Sequence, residues 1–251
     1  MSAAAPAVDV ERRTLRGRPR RVVRRVILTL LRVATGTRLA HVERVPMSGA
    51  VLMAANHLHN ADPVLINAAF PRPIHFMAKK EAFAVPVLPW VLRLVGAFPV
   101  DRGKADRSAI RRALLTLDQG VAVGMFPEGT RSPTRSLQRA HPGAGMIALT
   151  AGVPIVPVAI TGTERMPLNG AKGQATTGEP LPDPGHEGVR VLFGEPFTIP
   201  REIDGRKIAA AEATEIIMVE IARLLPPDYR GVYADALAAE TARCAVAAPS
   251  G

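Results

Sequence analysis

AVLMAANHLHNADPVLINAA, residues 50–69, decides the fold. The apolar run at 50–55 is short and uninterrupted, as in a strand buried on both faces, and 63–69 starts on proline and continues as a helix. Pro63 suits the first helical position, where its missing amide hydrogen is no loss, and Asp62 before it suits the N-cap. A strand that enters a helix through a polar turn is the unit of an α/β sheet. Side chains in such a turn stand at the carboxyl end of the strand, where ligands bind in these sheets.

Outward from this unit, apolar runs at 74–78, 121–126, 155–160 and 189–193 predict further strands. Helices are predicted at 105–117, 144–151 and 206–225, the last stopped by Pro226 and Pro227. The expected architecture is α/β, a mixed, partly parallel sheet flanked by helices. Residues 163–188, rich in Gly and Pro, predict a long loop, and the Ala-rich stretch after Asp235 a helix or a frayed tail. Three segments are expected: a basic N-terminal segment at 1–36, a main domain at 37–233 and the Ala-rich tail at 234–251.

With 47% apolar and 22% charged residues, the 251-residue chain is too apolar for a disordered protein and too interrupted by charge for a polytopic membrane protein. The single cysteine, Cys244, excludes an internal disulfide framework and a four-cysteine zinc site. Residues 1–13 carry Asp9 and Glu11 and lead into no apolar block, so a cleaved secretory signal is not expected and the cytoplasm is.

Of the net charge of +10, +8 falls within residues 1–45, which hold 11 Arg, no Lys and three acids. A localised basic segment implies an anionic surface. At roughly 100° per residue, Val22, Val23, Val26, Ile27, Leu30, Leu31, Val33 and Ala34 fill one half of a helical wheel. Arg21, Arg24, Arg25 and Arg32 fill the other half, and Leu28 is the one misfit. Such a basic amphipathic helix suits a membrane interface carrying anionic lipid, or alternatively docks on the core as an ordinary surface helix. Nucleic acid is disfavoured, because only 4% of residues are aromatic and few rings can stack on bases.

In the turn at 56–62, His57 and Asp62 are close enough in sequence for the carboxylate to reach one imidazole nitrogen, fix the tautomer and leave the other nitrogen free to take a proton. His57, His59 and Asp62 also resemble the His-x-His-x-Asp-His cluster of metallo-β-lactamase-like hydrolases, but Ala61 and Asp62 stand where that cluster needs Asp and His. No metal is expected. The run 121–132, VAVGMFPEGTRS, predicts a strand entering a turn with Glu128, Gly129, Thr130 and Arg131. There Gly129 permits close backbone approach, Thr130 supplies a hydroxyl, and Arg131 supplies a fork that matches phosphate oxygens. None of the serines stands in a Gly-x-Ser-x-Gly elbow, so a histidine base acting on a substrate hydroxyl is the economical mechanism.

Four blocks in order, NHLHNAD at 56–62, GAFPVDR at 96–102, FPEGTRS at 126–132 and VPIVPVAITGT at 153–163, resemble the glycerophospholipid acyltransferases of the 1-acyl-sn-glycerol-3-phosphate acyltransferase type. The resemblance runs from about residue 41 to 197, and LLPPDYRGVY at 224–233 is similar to the family as well. It makes 37–233 an acyltransferase domain and implies His57 as general base, with Asp62 as its orienting partner. It also implies glycerol phosphate binding by Arg102, Glu128, Gly129 and Arg131, a phosphate contact from Lys79 or Lys80, and acyl-donor binding near Pro157. The implied reaction carries an acyl group directly from acyl-CoA or acyl carrier protein to the free hydroxyl of lysophosphatidate, with no cofactor. The implied setting is peripheral, at the cytoplasmic face of an anionic membrane. Another lysophospholipid or glycolipid acceptor and a non-catalytic membrane-binding role on the same fold are the alternatives. The chain departs from its relatives at Ala140-His141-Pro142-Gly143, where they commonly carry a lysine before the glycine.

Overall fold

The computed structural model describes residues 17–79, 98–100, 107–166, 188–203 and 205–247. The strands are β1 (Arg38–Ala40), β2 (Val51–Ala55), β3 (Ile74–Lys79), β4 (Phe98–Val100), β5 (Ala122–Met125), β6 (Ile155–Thr161) and β7 (Arg190–Phe193), with a separate hairpin of β8 (Glu202–Ile203) and β9 (Arg206–Lys207). The helices are α1 (Gly17–Thr35), α2 (Asp62–Ala69), α3 (Arg107–Asp118), α4 (Gly143–Ala151), α5 (Ala210–Leu224) and α6 (Ala234–Ala247).

All five side chains of β2 are buried, and they divide by alternation. Leu52 and Ala54 pack with Val123, Ile155, Ile147 and Ile217 beneath α3, α4 and α5. Val51, Met53 and Ala55 pack with Phe70, Phe76, Val156 and Phe193 on the face that carries α2. The sheet runs β1-β7-β6-β2-β5-β3-β4, parallel at every pairing except β6 against β7. The mixed, partly parallel α/β sheet expected from the alternation of apolar runs is present, with antiparallel pairing confined to β6 against β7. In β5, a Cβ on Gly124 would stand 2.6 Å from the Phe76 ring, so glycine is what lets that ring lie on the strand.

Several elements differ from expectation. β1 and β4, of three residues each, are strands that were not expected. The helix expected from 206 begins at Ala210, because Arg206–Lys207 pairs back on Glu202–Ile203 around Gly205, whose φ of 75° suits a tight turn. Residues 234–247 of the tail form α6. Of the loop expected at 163–188, Thr163–Arg165 is a 3-10 turn and 167–187 lie outside the described residues.

α1 carries the largest correction. Leu28, the apparent misfit, is buried, while Val22, Val26, Leu30 and Val33 are each more than half exposed. Arg24 also leaves the outward arginine group, donating from Nε to the carbonyl of Ala68 at 2.7 Å and from Nη2 to that of Ala69 at 3.1 Å. Arg21, Arg25 and Arg32 remain exposed. Among the described residues no helix is long and apolar enough to cross a membrane.

Candidate active site

The turn that follows β2 folds around one carboxylate oxygen. Asp62 Oδ2 accepts from the amides of Leu58 and His59, both at 2.7 Å, and lies 2.9 Å from His57 Nδ1. Asp62 is therefore no N-cap: it is the first residue of α2, Ala61 precedes it as cap without a side-chain bond, and its carboxylate turns back into the turn. Asp62 is wholly buried and His57 is 4% exposed. With Nδ1 facing a carboxylate, the imidazole carries its proton there and presents Nε2 as an acceptor, which has no hydrogen-bond partner among the described residues. The ring stacks on Phe126 at a centroid distance of 4.1 Å and 18° between planes, and Phe126 stacks in turn on Phe76.

Backbone bonds hold His57 from both sides. Its amide donates to Glu128 Oε1 at 2.9 Å, and its carbonyl accepts from the amide of Ser132 at 2.8 Å. Glu128 Oε2 accepts from the amide of Gln138, also at 2.9 Å. Both oxygens of this buried carboxylate are thus spent on main-chain amides. Burial raises Glu128 to about 7, against the opposing pull of the Gln138 and His57 amides and with a smaller upward push from the charge of Asp62.

Asn56, which reads in the sequence as a turn former, acts as a substitute peptide. Its Nδ2 donates to the carbonyl of Ile160 at 2.8 Å, and its Oδ1 accepts from the amide of Ile160 at 2.7 Å. The β2–β6 ladder so gains one more rung at the point where the main chain turns away. The 224–233 segment braces the outer turn. Leu137 exchanges backbone bonds with Tyr229 and Val232, the Tyr233 hydroxyl accepts from the amide of Ala140 at 2.9 Å, and Arg135 lies over the Tyr229 ring while pairing with Asp228 at 2.8 Å. The Tyr229 hydroxyl donates to Glu164 at 2.7 Å, and burial raises its pKa. No spacing signal marks these residues; only the family resemblance of LLPPDYRGVY at 224–233 points to the segment.

The remaining sequence-derived residues divide by position. Gly129, with a φ of 69°, Thr130, exposed, and Arg131, half-buried, form the turn after β5 beside His57. Pro157 is buried inside β6, opposite Ala54, and its carbonyl accepts from the amide of Gly194 at 2.8 Å. Lys79 is the last residue of β3, in register with Val100. Arg102 and Lys80 lie outside the described residues. His59 Nδ1 accepts from the amide of Ala61 at 3.0 Å, and no group of three His, Cys, Asp or Glu capable of holding a metal occurs among the described residues.

A family model described as Acyltransferase matches residues 37–161. The chain is 33% identical over 156 residues to the 1-acyl-sn-glycerol-3-phosphate acyltransferase of Bacillus subtilis (strain 168), covering 61% of this chain and 77% of that one. It is 31% identical over 124 residues to a chloroplastic 1-acyl-sn-glycerol-3-phosphate acyltransferase of Brassica napus, BAT2, of which it spans 33% against 49% of its own length. The crystal structure of the 1-acyl-sn-glycerophosphate (LPA) acyltransferase PlsC from Thermotoga maritima superposes with a TM-score of 0.59 at 24% identity, over 84% of this chain and 83% of that one.

Proposed function

The chain belongs to the 1-acyl-sn-glycerol-3-phosphate acyltransferase family, and from that membership we propose that it moves a fatty acyl group from acyl-CoA or acyl carrier protein to the free hydroxyl of 1-acyl-glycerol-3-phosphate, giving phosphatidic acid. One observation carries the mechanism: His57 is held at Nδ1 by buried Asp62 and bears an uncommitted Nε2. Nε2 takes the proton of the acceptor hydroxyl as that oxygen attacks the thioester carbonyl. The tetrahedral intermediate collapses with loss of the thiolate, which receives the proton from His57. Asp62 keeps the tautomer and stabilises the imidazolium.

The turn 129–131 serves the acceptor. Gly129 allows close backbone approach, and Thr130 and Arg131 supply a hydroxyl and a guanidinium to its phosphate, with Arg102 and Lys79 as further cations. Pro157 belongs to the donor side. Glu128 departs from the role the resemblance implies: with both oxygens bonded to backbone amides, it positions His57 and does not contact glycerol phosphate.

Membrane contact falls to α1, whose exposed Val22, Val26, Leu30 and Val33 enter the acyl boundary while Arg21, Arg25 and Arg32 meet anionic head groups. Anionic lipid of this kind characterises the cytoplasmic leaflet, the surface on which the protein sits peripherally.

A second acceptor class is favoured by His141, whose ring lies so close to Gly129 that a Cβ there would stand 2.8 Å from it. An imidazole beside the acceptor turn suits a head group other than a bare phosphate, such as that of another lysolipid or glycolipid. The test is a panel of lyso-acceptors with acyl-CoA and acyl carrier protein donors, products identified by mass spectrometry. Phosphatidic acid from 1-acyl-glycerol-3-phosphate is the expected product, and no acylation with either donor overturns the proposal.

A further inference from the structure

α2 is a strut with a functional group at each end. Its first residue is Asp62, which sets the catalytic turn. Its last carbonyls, those of Ala68 and Ala69, belong to the set a helix leaves without internal partners. Arg24 of α1 bonds both, and a guanidinium at this end also opposes the negative pole of the helix. Eight residues at a rise of about 1.5 Å place the two ends roughly 12 Å apart, joined by one turn-to-turn hydrogen-bonded rod.

On α1, Arg24 and Leu28 stand one turn apart on the inward face, and the exposed Val22, Val26, Leu30 and Val33 stand on the opposite one. The carboxyl end of α1 is fixed separately, by the amide of Val189 on the carbonyl of Thr35 at 3.1 Å. Arg24 is therefore a polar tether from the amino-terminal half of the helix to the strut.

We propose that Arg24 is a positioning residue that couples the seating of α1 on the bilayer to the height and tilt of the catalytic dyad above it. The inference rests on the membrane contact proposed above for α1 and assigns Arg24 a different task from Arg21, Arg25 and Arg32. A lysolipid acceptor keeps its acyl chain in the bilayer, so its hydroxyl reaches Nε2 of His57 at one separation between membrane and dyad. A monomeric acceptor carries no such constraint.

The experiment compares the full-length wild type with Arg24→Ala, Arg24→Lys and Arg25→Gln. Sedimentation is measured with vesicles of phosphatidylcholine and phosphatidylglycerol. Turnover is measured on lysophosphatidate embedded in those vesicles at saturating lipid, and on a short-chain lysophosphatidate below its aggregation limit. Arg24→Ala is expected to sediment like wild type, to keep its rate on the short-chain acceptor, and to lose about tenfold on the embedded one, as a misplacement on the ångström scale does. Arg24→Lys, still able to donate to a carbonyl, recovers part of that loss. Arg25→Gln loses sedimentation instead, with embedded turnover falling only as the bound fraction falls. Equal losses by Arg24→Ala on both acceptors, weakened sedimentation matching that of Arg25→Gln, or no change at all each overturn the coupling. Failure of the wild type itself to sediment overturns the membrane contact and the coupling together, whereas wild-type sedimentation with an unaltered Arg24→Ala overturns the coupling alone.

Discussion

The turn at 56–62 and helix α1 break the ordinary rule of burial in opposite directions. In the turn, Asn56, His57, His59 and Asp62 are polar and buried. On α1, Val22, Val26, Leu30 and Val33 are apolar and exposed. The first inversion is tolerated because Asn56, His57 Nδ1, His59 Nδ1 and Asp62 Oδ2 are bonded within the fold, where a buried polar group without a partner costs about 1–3 kcal/mol; Asp62 Oδ1 is buried with no hydrogen-bond partner among the described residues. Four large aliphatic side chains in water gain nothing from the described residues, and the membrane contact proposed for α1 would compensate them. Under the proposed function, chemistry accounts for the inward inversion and membrane contact for the outward one.

Four variants test this contrast. The largest effect belongs to His57→Ala, expected to lower turnover about 10²- to 10⁴-fold with circular dichroism unchanged; retention of a tenth or more of the rate where chemistry is limiting removes His57 as base.

Glu128→Gln comes next. The amide keeps one acceptor oxygen but sets an NH₂ group against a second backbone N–H, so kcat should fall about tenfold or more with the acceptor KM little changed. Its pH signature is separate. Glu128 ionises at about 7 in the fold against an ordinary 4.5, so the native state binds this proton more tightly than the unfolded chain. The contribution is full below pH 4.5 and is lost as pH rises to about 7, on the order of 3 kcal/mol in all. Urea titrations across that window should show the decline in wild type and its absence in Glu128→Gln; parallel curves would return the carboxyl to solvent.

Arg131→Ala should raise the KM for lysophosphatidate about tenfold, the scale of one charge-assisted hydrogen bond, and leave that for the acyl donor nearly unchanged. Equal effects on both substrates would make Arg131 structural.

The smallest effect belongs to the outward inversion. Val26→Ser with Leu30→Ser should shift stability by no more than about 0.5 kcal/mol per site, since neither side chain is packed. Vesicle partition should weaken several-fold in a sedimentation assay. Strong thermal destabilisation with unaltered partition would show the stripe to be core after all.

Legibility in the sequence followed burial. β2, β5 and β6 were readable because central strands of a mostly parallel sheet are apolar on both faces, and α2 because Pro63 marks its start. β1 and β4, at the two ends of the sheet among the described residues, have only three residues each, and the apolar FPV of β4 is too short to mark a strand by pattern. The His57–Asp62 spacing predicted the contact that is present, yet the same residues predicted a cap that is absent. A helical wheel finds the apolar face of α1 but not which part of it meets the core: Leu28, which the wheel sets aside, is buried and Leu31 packs partly buried against the core, while Val22, Val26, Leu30 and Val33 are exposed. Nor can a motif reveal that Glu128 points inward, because that depends on two main-chain amides from segments 71 and 10 residues away.

The carboxamide of Asn56 has a consequence on the timescale of storage and ageing. Deamidation would replace its donor nitrogen by oxygen opposite the carbonyl of Ile160, now 2.8 Å away, and set two acceptors against each other in a buried place. The sheet would part by one rung directly behind His57. An old preparation could thus lose activity with His57, Asp62 and Arg131 chemically intact, and carry only a one-dalton gain in mass as the trace.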